Sequence, residues 1–438
     1  MKVLLITFSF PPAGGVGVLR ALSFAKYLPE FGVRVDVLTA RNAPSVGKDL
    51  KLLLQVPEAV RVHRSWTLDL PFGLRKGIKR LVSGRGGRSG GAAASARPAG
   101  GGGNPLKRFL GNLLLPDPQV GWLPFAFAAA KRIIRERTID AVLITVPPFS
   151  TAMLVTKLRR AFPGLPIVLD FRDEWLTTTI NLVSFNNNER ARQIATRAEA
   201  ESVRDATMVV AVTEAAQREL RARYPGEDGA KFRYIPNGFD SKVGGASVRE
   251  PRSDDRVVLT YMGSVYGSTD PGSFVEAVLG LPAKLRARLR VRFIGHIETA
   301  AYRESLLRLG ETVELRGFVG HAEALRALEE SDYVLLITHD RINVSAKFYD
   351  YLSSGRPIVA AVHPDGEVRK LLEETRAGRW ADGGDAGAIR GLLTRILEGR
   401  EAAAGEGPDL ERIGGFDRRV LAERYAVLLR EVAGESQV

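Results

Sequence analysis

The 438-residue sequence contains no cysteine. This absence excludes disulfide scaffolds, thiolate zinc sites, cysteine nucleophiles and dithiol redox motifs. Histidine is scarce, and its five residues are scattered along the chain without a paired-histidine metal motif. We therefore expect a functional site that holds no metal ion.

Long hydrophobic runs are also lacking. The longest apolar-rich stretch, Val120–Ala130, is far shorter than the roughly 20 residues that a membrane-spanning helix needs. The apolar run Val3–Phe10 could imitate a signal peptide, but Pro11-Pro12 interrupts it and no clean cleavage site follows. This pattern favours a buried first strand, and we expect the chain to be cytoplasmic.

Acidic residues are missing from one long segment, and this shapes the charge of the whole chain. Lys and Arg exceed Asp and Glu by 13, but residues 1–240 hold 35 basic and 20 acidic residues, whereas residues 241–438 hold 28 and 30. No acidic residue lies between Asp69 and Asp117. The asymmetry suggests two domains with different partners.

The same segment is rich in glycine and in basic residues. Nine of residues 84–103 are glycine, which predicts a flexible insertion over residues 83–104. Arg75–Arg108 contains nine Lys or Arg residues. It is either a solvated insertion or a basic arm that touches anionic lipid headgroups or an anionic substrate.

Strand and helix patterns alternate in both halves of the chain. Continuous apolar runs such as Val3–Ile6 are typical of strands buried on both faces of a parallel sheet. Helical spacing follows in Val18–Leu28, and a second alternating unit starts near Arg256. The sequence thus predicts two doubly wound α/β units in series, which bind ligands at the carboxyl ends of their strands and imply a cleft between them.

A glycine-rich loop, Pro11–Gly17, follows the first strand and precedes a helix. Its Gly-Gly-x-Gly pattern lets the backbone approach a ligand, and the helix start offers N–H groups to an anion. Arg20 stands where the dinucleotide fingerprint has its third small residue, and no acidic residue ends the second strand. A nicotinamide or flavin enzyme is therefore disfavoured, while a plain tight turn remains an alternative.

Charged residues also end a buried strand at Asp170–Trp175. Three carboxylates and an arginine occur there, where α/β sheets keep their chemistry. Such neighbours can orient a carboxylate for use as a base. The alternative is a purely structural Asp–Arg pair.

Two segments of the second half suit a phosphate ligand. Tyr261–Gly267 ends a strand with two glycines and a hydroxyl, and Ser345–Gly355 is predicted to form a helix. Lys347 at the helix start suits a phosphate, and Asp350, one turn later, suits ribose hydroxyls. An i,i+3 surface ion pair is the simpler alternative.

Taken in order, these motifs resemble those of GT-B glycosyltransferases of family 4 type, over nearly the whole chain. The segments that carry the resemblance are Pro11–Gly15, Leu115–Asp117 with Gly121 and Trp122, Asp170–Asp173, Pro236–Asp240, Tyr261–Tyr266, and Lys347–Leu352 with Gly355–Pro357.

The resemblance implies two Rossmann-like, doubly wound domains that face each other across a cleft. The acceptor-side domain is expected over residues 1–240 and the donor-binding domain over residues 241–415. Residues 416–438 are expected to form a helix that crosses back to the first domain. The implied reaction is a metal-independent, retaining transfer from a nucleotide-diphosphate sugar to an acceptor hydroxyl, with no further cofactor.

The resemblance also assigns roles to residues. Lys347 and Asp350 fit a variant Lys-x-x-acid-Tyr-Leu subgroup, in which Asp350 stands at the second position of the paired-acid motif; Ile342 occupies the first. Asp173 is the candidate base, with Arg172 beside it. The donor-binding residues are expected to be Gly14, Gly15, Gly17, Gly263, Ser264, Lys347, Asp350 and Tyr351, and the acceptor-side residues Asp117 and Trp122.

The acceptor and two other functional classes stay open. The basic first half suggests a lipid-linked or cell-envelope polysaccharide precursor as acceptor, with the protein peripheral on the inner membrane face through Arg75–Arg108. A nucleotide-sugar epimerase can share this architecture. A sequence pI near 10.0 would also suit a nucleic-acid binder, but aromatic residues are not interleaved with the basic run, and we expect no nucleic-acid partner.

Overall fold

A computed structural model describes residues 1–43, 47–68, 115–177, 188–240, 255–400 and 407–434. The predicted insertion 83–104 and the basic segment Arg75–Arg108 lie outside these described residues. The chain divides into two compact units. Unit 1 contains Met1–Val210, Gly226–Phe232 and Tyr425–Val438, and unit 2 contains Ala211–Pro225 and Arg233–Arg424.

The first sheet has seven strands in the order β3-β2-β1-β4-β5-β6-β7. They are β1 (Lys2–Ile6), β2 (Arg34–Ala40), β3 (Arg61–Ser65), β4 (Ala141–Val146), β5 (Ile167–Phe171), β6 (Met208–Ala211) and β7 (Phe232–Tyr234). The pairs from β3 to β5 are parallel, and Val3 lies opposite both Val35 and Ala141. Strand order reverses at β1, where ligands of doubly wound sheets bind.

Six helices accompany these strands within the described residues. They are α1 (Leu19–Tyr27), α2 (Leu50–Leu53), α3 (Leu123–Arg137), α4 (Met153–Ala161), α5 (Glu189–Asp205) and α6 (Glu214–Arg223). Strands β4 and β5 are buried at every position because helices cover both faces of the sheet.

The second sheet has six parallel strands in the order β10-β9-β8-β11-β12-β13. They are β8 (Val257–Met262), β9 (Leu289–Ile294), β10 (Val313–Gly317), β11 (Tyr333–Thr338), β12 (Ile358–Val362) and β13 (Gly378–Asp382). Their order reverses at β8, so the carboxyl ends of β8 and β11 mark the binding edge.

The remaining helices pack on this sheet or end the chain. They are α7 (Gly272–Leu279), α8 (Ala283–Arg288), α9 (Ala300–Leu307), α10 (His321–Glu329), α11 (Ala346–Ser354), α12 (Glu367–Thr375), α13 (Ala386–Leu397), α14 (Leu410–Gly414) and α15 (Arg418–Ala433). Two apolar clusters fill the core of unit 2, one on each side of its sheet. No helix in the described ranges combines the length and the apolar character needed to cross a bilayer.

The predicted α/β class with two doubly wound sheets is confirmed. The predicted strand Val3–Ile6 lies within β1, the predicted helix Val18–Leu28 contains α1, and the predicted helix Ser345–Gly355 contains α11.

Candidate functional site

The binding edge of unit 2 is built on two glycines with positive φ. Gly263 (φ 127°) follows β8 and Gly295 (φ 139°) follows β9. A Cβ atom on Gly263 would lie 2.4 Å from Cε of Lys347, and one on Gly295 would lie 2.3 Å from the Gly263 carbonyl oxygen. Only glycine therefore lets the two strand ends and the lysine pack this closely.

Lys347 enters this edge from the first turn of α11. Its partly buried ammonium donates to the hydroxyl of Tyr261 at 2.5 Å and to the carbonyl of Ser264 at 3.3 Å, and it lies 4.3 Å from the centroid of the Tyr261 ring. Desolvation lowers the pKa of Lys347 to about 7. Desolvation is the only cause of this shift and the charge of Asp350 does not contribute, which argues against the i,i+3 ion pair between the two residues.

Tyrosines hold the strand end beneath the lysine. Tyr261 donates to the carbonyl of Ser264 at 2.7 Å, and the hydroxyl of Tyr351 accepts from the backbone N–H of Met262 at 2.8 Å. Burial raises the pKa of both tyrosines, so both stay neutral. Tyr351 is fully buried, which gives it the role of supporting the strand end rather than touching a ligand.

The structure thus brings Gly263, Ser264 and Lys347 together, as predicted from the sequence. Asp350 lies one helical turn beyond Lys347 and is partly buried. Tyr261 was not assigned a role from the sequence. Its position in the sequence could have indicated one. Tyr261 is the second-last residue of β8, the strand that leads into the glycine turn, so its side chain lies close to that turn.

In unit 1 the glycine loop is tied to the chain after β2. The Gly14 N–H donates to the carbonyl of Gly47 at 2.9 Å, and the backbone N–H of Asp49 donates to the carbonyl of Pro12 at 2.8 Å. The Gly14 N–H is therefore bonded within the protein, and the donor-binding role of Gly14 stays a prediction. Gly15 has φ 100° and open space at its Cβ position, so the loop is most accessible there.

Arg172 holds the same loop from the end of β5. Its guanidinium donates to the carbonyl of Gly17, to that of Pro147, and to that of Val146 at 3.2 Å. Desolvation lowers the Arg172 pKa. Its donors are directed at backbone carbonyls, so the geometry makes Arg172 a positioning residue. Its neighbour Asp173 is exposed at the strand end.

Asp170 is a buried structural carboxylate. Its partner is Arg20, which donates from Nη2 to Oδ1 at 2.9 Å; Thr145 and Tyr425 each donate at 2.6 Å. Burial alone would raise the Asp170 pKa, but the Arg20 charge and these hydrogen bonds hold it below its usual value. Asp170 therefore belongs to a structural Asp–Arg pair, as in the alternative given above, but its partner is Arg20 rather than Arg172.

The two predicted acceptor-side residues also have structural contacts. Asp117 accepts from the N–H and the hydroxyl of Ser150, both at 2.7 Å, and burial raises its pKa despite those bonds. Trp122 is completely buried and its indole N–H donates to Ser65 at 2.8 Å. Packing and loop support account for these contacts, and the acceptor-side role of the two residues stays a prediction.

Comparisons with known proteins agree with this architecture. A family model described as a glycosyl transferase 4-like domain matches residues 14–238. A search of curated proteins finds no match. The fold is similar to that of HepE from Anabaena in complex with UDP, with a TM-score of 0.61, 17% identity, and coverage of 98% of this chain and 100% of that one.

Two other solved structures share the fold. Sucrose-phosphate synthase from Thermosynechococcus elongatus has a TM-score of 0.60 at 15% identity, with 99% of this chain and 100% of that chain covered. WaaG, a glycosyltransferase involved in lipopolysaccharide biosynthesis, has a TM-score of 0.57 at 14% identity, with 98% and 99% covered. Because the family model spans just over half of the sequence, and both sheets match GT-B structures, the chain belongs to the glycosyl transferase 4-like family and is a glycosyltransferase with the GT-B fold.

Proposed function

We propose that this glycosyltransferase moves a sugar from a nucleoside-diphosphate sugar to an acceptor hydroxyl with retention of anomeric configuration. The observation that carries the proposal is the Lys347 ammonium beside the glycine turn at Gly263, which has a tyrosine and a carbonyl as neighbours but no ion pair among the described residues. Such a cation suits a diphosphate. HepE, which shares the fold, has been crystallised with UDP and with UDP-glucose.

In the proposed reaction the bond between the anomeric carbon and the β-phosphate oxygen breaks, and a bond from the acceptor oxygen to that carbon forms on the same face. Negative charge develops on the leaving diphosphate, where Lys347 stabilises it without a metal ion. The acceptor proton passes to Asp173 or to the leaving phosphate. Gly15 and Gly17 keep their proposed role near the donor phosphates, and no cofactor is required.

For the acceptor, we propose a lipid-linked or cell-envelope polysaccharide precursor at the cytoplasmic membrane face. The charge balance of residues 1–240 supports this, because their surplus of 15 basic residues favours an anionic surface.

The test is nucleotide binding by calorimetry, after a thermal-shift panel of nucleotides and nucleotide sugars has identified the tightest donor. Replacing Lys347 or Asp350 by alanine should weaken donor binding roughly 10- to 100-fold, the usual effect of losing a charged hydrogen bond. The exposed Lys284, on α8 of the same unit, gives a matched control, Lys284→Ala, that should bind normally. Unchanged donor affinity in both site variants would overturn the assignment.

A further inference from the structure

Unit 1 exposes a group of large apolar side chains at one edge of its sheet. We call this group the apolar rim; it consists of Val16, Leu50, Leu53, Leu54, Trp66 and Leu68. Their exposed fractions run from 41% for Leu53 to 87% for Leu54. Single exposed apolar residues need no explanation, but six from three consecutive strand-end segments indicate a contact surface.

The apolar rim includes Val16 of the glycine loop and adjoins the rest of that loop through the segment after β2. Its members follow β1, β2 and β3, whose carboxyl ends share one edge because these strands are parallel. A backbone bridge joins Ala13 to Lys48, and Asn42 exchanges hydrogen bonds with the backbone of Thr67 at 3.0 and 3.1 Å. The loop that carries Gly15 is thus anchored to the segment that carries Leu50–Leu54.

Basic residues are interspersed with the apolar rim. The described residues between 41 and 68 include five Lys or Arg and only two acidic residues. Lys48 and Lys51 are exposed, and Arg41 stacks 4.8 Å above the Trp66 ring. One of the two acids, Asp49, caps α2 by accepting from the Lys51 N–H at 2.9 Å. In the sequence, Leu68 directly precedes the acid-free stretch between Asp69 and Asp117.

We infer that the apolar rim docks on an anionic lipid bilayer and presents the glycine loop to an acceptor carried in that bilayer. Aliphatic side chains enter the boundary between headgroups and acyl chains, the Trp66 ring lies at the interface, and the lysines contact anionic headgroups. A protein partner fits less well, because protein interfaces are depleted of lysine. The inference rests on the lipid-linked acceptor proposed above and adds the surface that recognises the lipid.

The test is flotation of the full chain with vesicles of phosphatidylcholine alone or with phosphatidylglycerol, at low and high salt. The wild type should float with the anionic vesicles. The double variant Leu50→Glu/Leu54→Glu should partition at least about tenfold less at both salt concentrations, because it loses apolar insertion and adds negative charge. Lys48→Gln/Lys51→Gln should lower binding roughly fivefold per lysine at low salt and little at high salt.

The matched control is Leu307→Glu/Leu410→Glu, which changes two exposed leucines of unit 2 in the same way and should float like the wild type. Calorimetric donor binding is measured on every variant, so a failed donor site is distinguished from a failed docking surface. Absence of wild-type flotation, or equal flotation of the Leu50/Leu54 variant, overturns the inference. So does a sedimenting dimer that only this variant dissociates, since the rim would then contact a second copy.

Discussion

The ammonium group of Lys347 lies between the Tyr261 ring and the Ser264 carbonyl, where desolvation lowers its pKa to about 7. Neighbouring groups do not offset this lowering of the pKa. The charge of Asp350, on the same helix, does not contribute to it, and Tyr261 and Tyr351 stay neutral. A bound diphosphate would favour the charged form and raise the lysine pKa. Donor binding and proton uptake are therefore coupled at this residue.

We expect donor affinity to be constant below about pH 6 and to fall up to tenfold per pH unit above pH 7, because the free protein then binds one proton fewer than the complex. Calorimetry from pH 6 to 9 measures this, with proton uptake obtained from buffers of different ionisation enthalpy. A nucleotide sugar is the right probe, because both of its phosphates are esterified and hold their charge.

Lys347→Arg is the control for this prediction. Its guanidinium stays charged throughout the range, so its donor affinity should not change with pH. If wild type and Lys347→Arg share one pH profile, another group is responsible.

At the scale of elements, Arg172 connects β5 to the glycine loop. It donates to the carbonyls of Gly17 and Pro147, which belong to the segments after β1 and β4. Three strand ends are thereby held by one side chain. This fixes the loop before a substrate arrives, and preorganisation of that kind lowers the barrier to transfer.

Replacing Arg172 by alanine should reduce the transfer rate about 10- to 100-fold, because the loop loses its anchor. Donor affinity, measured by calorimetry, should fall less than the transfer rate, since the Lys347 contact remains. A larger loss of transfer rate than of donor affinity distinguishes a positioning residue from a residue that binds the donor.

Arg159 is a matched control for the Arg172 variant. Arg159, on α4, also donates to backbone carbonyls, those of Asp205 at 2.9 Å and Pro163 at 2.6 Å. Neither carbonyl belongs to the glycine loop. Arg159→Ala should lower stability and leave the transfer rate per folded molecule unchanged. Equal rate losses in both variants would assign the Arg172 effect to general destabilisation.

Elements with continuous apolar runs or a clear apolar stripe were readily predicted from the sequence. The apolar pattern predicted β1 and α1, whereas no helix was predicted over α6, whose sequence EAAQRELRAR buries only Ala216 and Leu220. Its start was readable from Thr213, which caps it by accepting from the Ala216 N–H at 3.0 Å. The end of α6 depends on tertiary packing, which a weak apolar stripe does not specify.

At the scale of the whole molecule, a buried polar cluster joins the beginning of the chain to its end. Arg20 lies on α1, Asp170 on β5 and Tyr425 on α15, and the last two are 255 positions apart. The Phe24 and Tyr425 rings pack beside them, with centroids 4.5 Å apart. The carboxyl-terminal helix is therefore part of the core of unit 1 from Tyr425 onward.

Asp170→Ala should lower the free energy of unfolding by about 3–5 kcal/mol, because it leaves Arg20 buried without its counter-charge. Tyr425→Phe removes only hydrogen bonds and should cost about 1–2 kcal/mol. Denaturant unfolding measures both. Arg197→Ala, which breaks an exposed i,i+4 pair with Glu201, is the control and should leave the free energy of unfolding nearly unchanged.

The Asp170 contribution also depends on pH. Its pKa is lower in the folded protein than in the unfolded chain. The stabilisation is complete above the unfolded value of about 4 and is lost as pH falls through the folded pKa. Wild type should lose stability below pH 4 more steeply than Tyr425→Phe; parallel acid profiles would contradict this role.

The sequence by itself determined the two doubly wound sheets, the glycine turns at their binding edges and the helix that carries Lys347. Those features depend on local patterns: apolar runs, positive φ and residues one helical turn apart. Only the tertiary structure decided which charges are paired, since Arg20 rather than Arg172 neutralises Asp170 across 150 positions. It also decided that the Gly14 N–H is occupied and that Lys347 is desolvated, because hydrogen-bond partners and burial are set by segments far apart in the chain.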